Sequence, residues 1–235
     1  MAGRVRRRDG NDRERTPLIR NSSLAAIELL VSLAVVAAGL AGLVPFSTTP
    51  PLLLIGAWFL RIERRSWREL GLARTGSVTR TLLLGVGGGL VLQGVFLFVL
   101  GPWIERLAGA PPDLGQFAEV AGDEARLALG LFLVWALAAF GEELVYRGTL
   151  GNRVAGLAGG SRGAWLASLF LVNLLFAIGH AYQGLAGVIA TGIAGVFFGL
   201  LYLATGRNLW ASILAHGTFN TVGLVLLYLG AVPGS

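Results

Sequence analysis

Seven stretches of this chain are almost free of charge, and most approach the 20 or so apolar residues that a helix needs to cross a bilayer core of about 30 Å. They run over residues 24–46, 49–60, 81–101, 126–150, 164–180, 185–204 and 208–229, the second being short. In lipid every backbone N–H and C=O must be satisfied within the structure, which leaves helices or closed barrels. The runs are continuously apolar rather than alternating, so the pattern predicts helices. The expected fold is all-α, a polytopic transmembrane bundle of about seven spans. Composition agrees: 54% of residues are hydrophobic, 14% are charged, and mean hydropathy is +0.70. Soluble domains carry roughly 25% charge, so an ordinary soluble enzyme and a disordered chain are both excluded. The absence of Cys excludes a disulfide framework, a thiolate nucleophile and a Cys-based zinc site.

The 19 basic residues are all Arg, and their positions predict the topology. Seven precede the first run, between Arg4 and Arg20. Six follow the second, between Arg61 and Arg80. Arg147, Arg153 and Arg162 follow the fourth, and Arg207 follows the sixth. With seven spans these 17 fall on one side, while Arg106 and Arg126 flank the acidic loop of Glu105, Asp113, Glu119, Asp123 and Glu124. Basic loops stay cytoplasmic, so the N-terminus is expected inside and the C-terminus outside. Omitting the short second span would put six arginines on the wrong side. The net charge of +6 is thus read as membrane topology, with the lipid bilayer as partner and no nucleic acid. The Gly- and Ala-rich composition hints at a prokaryotic genome, hence a multi-pass protein of a prokaryotic plasma membrane. The expected organisation is a basic cytoplasmic tail at 1–22, N-terminal transmembrane helices and loops at 23–124, and a C-terminal transmembrane core at 125–230. The first run is longer than a cleaved signal and is read as an uncleaved anchor. Gly85/Gly89 and Gly195/Gly199 have the spacing for close helix contact.

A charge at the bilayer centre costs about 2.5–3.5 kcal/mol on insertion scales, so ionisable residues inside spans call for an explanation. Glu28, near the start of the first run, is read as an interfacial carboxylate. The others are Glu142, Glu143, His180 and His216, the last two being the only histidines. On a helix, Glu143 and Arg147 stand four apart with Glu first, the favourable order for an ion pair, and Glu142 projects away and is left free. His216 and Asn220 share a helical face within the last span. Each fragment alone fits a solvated helix end or a packing pair. Together, a double carboxylate, two imidazoles and an amide on three spans describe a hydrolytic site: a base for water, and donors for a developing oxyanion. The zincin signature His-Glu-x-x-His is absent.

Glu142-Glu143-x-x-x-Arg147, Phe176-x-x-x-His180 and His216-x-x-x-Asn220, in that order and setting, resemble the three motifs of the CAAX protease and bacteriocin-processing (CPBP, or Abi) family. That family includes the type II CAAX prenyl endopeptidases. The resemblance covers about residues 125–225, and Trp67-Arg-Glu-Leu-Gly-Leu72 is similar to a phrase found upstream in the family. It implies an intramembrane endopeptidase acting on membrane-associated proteins or peptides, lipidated CAAX types among them. Glu142 would activate water with help from His180. His216 and Asn220 would position and stabilise the oxyanion, and Glu143 and Arg147 would hold the site together. The resemblance leaves a metalloprotease and a metal-free glutamate mechanism equally open; a zinc ion would take Glu143, His180 and His216. Two rival readings stand beside it: a small transporter using the buried Glu and His as a proton relay, and a non-catalytic immunity or scaffold member of the same family.

Counting helix rise at 1.5 Å per residue exposes one conflict. Glu142 falls about 15 Å inside the basic face and His216 and Asn220 about 12 and 18 Å, but His180 about 24 Å. The polar segment 151–163 is where the span boundary is expected to be wrong.

Overall fold

The computed structural model describes residues 19–231, which are helical with connecting turns and contain no strand. The arginines from Arg4 to Arg15, and the greater part of the basic tail they form, lie outside the described residues. Seven apolar helices follow: α1 Ser22–Leu40, α2 Thr49–Ile62, α3 Val78–Ala108, α4 Glu124–Leu157, α5 Arg162–Ile178, α6 Gly184–Ala204 and α7 Leu209–Tyr228. All but α2 and α5 are long and apolar enough to cross a membrane. Asn21, Ser77, Asp123, Ser161 and Asn208 each accept a backbone N–H at the start of a helix, the role for which short polar side chains are preferred.

Two helices depart from α geometry. In α3 the turn Phe96–Leu100 widens just before Pro102, and the Gly101 N–H donates to the Phe96 carbonyl. Proline removes a donor and crowds the preceding turn, and a wider turn relieves both. In α4 the wide form runs from Val134 to Leu150, through the double carboxylate. Side chains there collect carbonyls: the Thr149 hydroxyl donates to Leu144 O at 3.1 Å, and Asn152 Nδ2 to Gly148 O at 2.6 Å.

Helix α4 lies at the centre, packed against α2, α5 and α7. Small residues set the closest approaches. A Cβ on Gly85 would come within 2.5 Å of the Leu214 side chain, and one on Gly89 within 2.5 Å of the Ala215 carbonyl, so α3 and α7 meet with little but backbone between them. Gly217 of α7 lies against the Trp135 indole of α4 with the same lack of room. The glycine pairs read from the sequence therefore mark helix contacts.

Helix α4 continues through the segment expected to be a loop, as far as Leu157. Counted from there Glu142 lies about 22 Å in, and His180, counted from Arg162, about 27 Å, so the conflict narrows. Helix α7 starts inside the bundle: Leu209 has no exposed surface, and its N–H donates to Gly71 O. The upstream phrase 67–72 thus serves as a cap for α7, with Leu70 buried and Leu70 O accepting the Tyr202 hydroxyl.

The interfacial reading of Glu28 is corrected. Glu28 is fully buried, and Arg153 Nε lies 2.6 Å from its Oε2. Arg153 Nη2 lies 2.6 Å from Glu63 Oε2. One arginine of α4 thereby ties α1 to the end of α2. The partners are 125 and 90 residues apart in sequence, which is why spacing could not pair them.

Candidate active site

Glu143, with no exposed surface, sits in the wide segment of α4. Arg147, one turn on, places Nη1 2.9 Å from Glu143 Oε1, the pairing expected from the spacing. The same guanidinium donates through Nη2 to the Gly195 carbonyl of α6 at 2.7 Å and lies 4.8 Å from the Phe176 ring centroid of α5. One residue of α4 therefore engages both neighbouring helices of the site. Gly195 leaves room for this packing: an added Cβ would come 2.0 Å from Asn173 Oδ1 and 3.1 Å from Arg147 Nη2, so those side chains would have to shift.

His216 enters from α7. Its Nδ1 is 3.0 Å from Glu143 Oε1, and its Nε2 is 3.9 Å from Glu142 Oε2. Phe198 stacks on the imidazole, with centroids 4.6 Å apart and planes 15° apart, which fixes the ring plane. Since a carboxylate can only accept, Nδ1 carries the proton toward Glu143 and Nε2 faces Glu142. Glu142 is the contrasting member of the pair. Neither of its oxygens is hydrogen-bonded among the described residues, whereas Glu143 is bonded through Oε1 and only its Oε2, like Glu142 Oε2, is buried without a partner.

His180 follows the end of α5. Its Nδ1 donates to Phe176 O at 2.9 Å, so Nε2 is left as the acceptor. The Phe176 ring packs edge-on against both imidazoles, at 4.9 Å from His180 and 6.1 Å from His216. Asn220, one turn beyond His216, is partly buried, and its side chain makes no hydrogen bond among the described residues. The structure brings Glu142, Glu143, Arg147 and His216 into direct contact and links His180 to them through Phe176. Asn220 is joined only by its place on the His216 helix.

The zinc set is not assembled. Among the described residues no three His, Asp or Glu side chains are grouped to hold a metal ion. Glu143, its carboxylate, is engaged through Oε1 by Arg147 and His216, with Oε2 unpartnered. Sequence reasoning did not find Phe198, Gly195 as the carbonyl for Arg147, or Asn173 behind it. The Gly195/Gly199 spacing was the available signal, and it was read for helix contact alone.

Residues 124–222 match the family described as type II CAAX prenyl endopeptidase Rce1-like. The matched segment runs from the start of α4 into α7 and contains every residue of the three motifs. No curated protein and no solved structure matches the chain.

Proposed function

Since this chain belongs, through residues 124–222, to the Rce1-like family of type II CAAX prenyl endopeptidases, we propose that it hydrolyses peptide bonds of membrane-associated, CAAX-type protein or peptide substrates within the bilayer, with Glu142 as the base. The observation that carries this reading is the asymmetry of the two carboxylates. Glu143 is held through Oε1 by a guanidinium and an imidazole, with its Oε2 buried and unpartnered, whereas the Glu142 side chain makes no hydrogen bond among the described residues through either oxygen and its Oε2 lies 3.9 Å from His216 Nε2.

In this reading a water lies between Glu142 and the Nε2 atoms of His216 and His180. Glu142 takes one proton as the water oxygen bonds to the scissile carbonyl carbon. The carbonyl π pair moves to oxygen, where the Asn220 amide donates to it. The tetrahedral adduct then collapses: the C–N bond breaks, and the proton held by Glu142 passes to the leaving amine. Water is consumed, and one carboxylic acid and one amine are formed, the acid then giving its proton to the amine to leave a carboxylate and an ammonium. Arg147 and Glu143 keep the His216 ring in the tautomer with Nδ1 protonated, so that Nε2 faces the reacting water. The cytoplasmic N-terminus belongs to the same proposal, because it rests on the arginine distribution.

The test is cleavage of prenylated and unprenylated CAAX peptides by purified protein in vesicles. Glu142→Gln is expected to fold and to bind peptide but to lose about 10²–10⁴ in rate, the range for general-base help. A folded Glu142→Gln that cleaves at the wild-type rate, or a wild type that cleaves neither peptide, overturns the reading. Cleavage of the unprenylated peptide alone would remove the lipid from the substrate class.

A further inference from the structure

The Arg147 guanidinium is held between two acceptors, Glu143 Oε1 at 2.9 Å and the Gly195 carbonyl at 2.7 Å. That carbonyl belongs to α6, and α6 is fixed locally by a residue outside the three motifs. Asn173 of α5 donates from Nδ2 to Gly192 O at 2.8 Å. Its Oδ1 is buried, has no hydrogen-bond partner, and lies 2.0 Å from where a Cβ on Gly195 would stand. The Asn173 amide is therefore seated flat on the turn of α6 between Gly192 and Gly195, against bare Cα. Asn173 and Arg147 also line one cavity of about 30 Å³, together with Gly195 and Tyr202. That space exceeds the roughly 10–15 Å³ that a single water requires.

We infer that Asn173 is a positioning residue for the hydrolytic site, acting through α6: it sets the height of the Gly195 carbonyl, which orients Arg147, which orients Glu143 and, through it, His216. Every link is a contact of hydrogen-bond or van der Waals length. Asn173 Nδ2 meets Gly192 O, and Oδ1 meets Gly195. Gly195 O meets Arg147 Nη2 at 2.7 Å, Arg147 Nη1 meets Glu143 Oε1 at 2.9 Å, and Glu143 Oε1 meets His216 Nδ1 at 3.0 Å. The chain ends on the imidazole whose other nitrogen faces Glu142. An apolar residue of equal size at 173 would fill the same space but could not grip α6, so α6 would be free to slide and Arg147 to lose its second anchor.

Two measurements test this, and only the first rests on the proteolytic reading. In the peptide-cleavage assay, Asn173→Leu is expected to lower kcat tenfold or more, with KM within twofold, and to shift the pH profile of kcat because the His216–Glu143 contact is loosened. A kcat equal to wild type, or a loss confined to KM, overturns the inference. The second measurement needs no substrate. Thermal melts of Asn173→Leu, Arg147→Met and the double variant form a cycle. Strong non-additivity, with the double variant melting close to the Arg147→Met single, is expected if the two residues act along one chain. Additive shifts overturn the inference. A wild type that cleaves no peptide but shows coupled melts would refute the proposed activity and leave the Asn173–Arg147 link standing.

Discussion

Replacing Arg153 by Met should be among the most damaging single changes outside the active site. The side chain is 1% exposed, and it is the cation shared by two carboxylates, Glu28 and Glu63, each 2.6 Å away. Methionine fills similar volume but leaves both carboxylates buried without that partner. Breaking a buried pair by removing one member costs about 3–5 kcal/mol. In a chain of this size each kcal/mol moves Tm by about 2–4 °C, so Arg153→Met should melt roughly 6–20 °C below wild type. The triple variant Arg153→Met, Glu28→Leu, Glu63→Leu removes the charges together. It should recover most of that loss, because apolar replacement of a whole buried ion cluster is often neutral or stabilising. Since Arg153 lies ten residues beyond Glu143, about 15 Å along α4, cleavage at low temperature should stay within a few-fold of wild type in both variants. Melting curves in detergent, followed by tryptophan fluorescence, decide the matter. If Arg153→Met melts with the wild type, or the triple variant melts as low as the single, the cluster does not hold α1 and α2 to α4 in the way the distances imply.

Two further outcomes follow from the geometry. Gly195→Ala places a methyl 2.0 Å from Asn173 Oδ1 and 2.8 Å from the Phe176 ring, so it should abolish cleavage and lower Tm by several degrees, whereas Gly223→Ala, with open space around it, should do neither; equal behaviour of the two would contradict the tight packing at Gly195. Reporter fusions at Ser77 and Asp113 should give opposite sides, Ser77 cytoplasmic, and an external Ser77 would remove α2 as a span.

The parts of this fold that the sequence made legible are those governed by local spacing. Apolar run length marked all seven helices, and the four-residue step from Glu143 to Arg147 identified the ion pair. The separation of Glu142 from that pair followed from the same helical step. What stayed hidden depended on partners far apart in the chain. Glu28 looked interfacial because a lone carboxylate six residues into a helix can reach water. Arg153 looked like a loop residue because it stands among Gly151, Asn152 and Gly156. Each is explained only by the other. The end of α4 is hidden for the same reason: Asn152, normally a turn residue, here gives its amide to the Gly148 carbonyl and the Tyr202 hydroxyl oxygen and so sustains the helix. The stacking of Phe198 on His216 left no trace in spacing, since an aromatic in an apolar helix is ordinarily core.

The two short helices have a consequence for the surrounding lipid. Helix α2 has 14 residues and α5 has 17, about 21 and 26 Å of rise, less than the hydrocarbon thickness of about 30 Å. Both pack against α4, the helix that carries the two glutamates. A bilayer meets so short a hydrophobic flank by thinning or by letting flanking side chains reach for the headgroups, and Arg61 and Arg64 at the end of α2 are long enough to do so. In a bilayer, two short helices would set a hydrophobic mismatch beside the helix that carries Glu142 and Glu143. Glu142 stands beside the start of α2, where Gly141 lies against Thr49 and Leu53, so its depth below the headgroups would depend on the thickness of the membrane around these two helices as well as on the helices themselves.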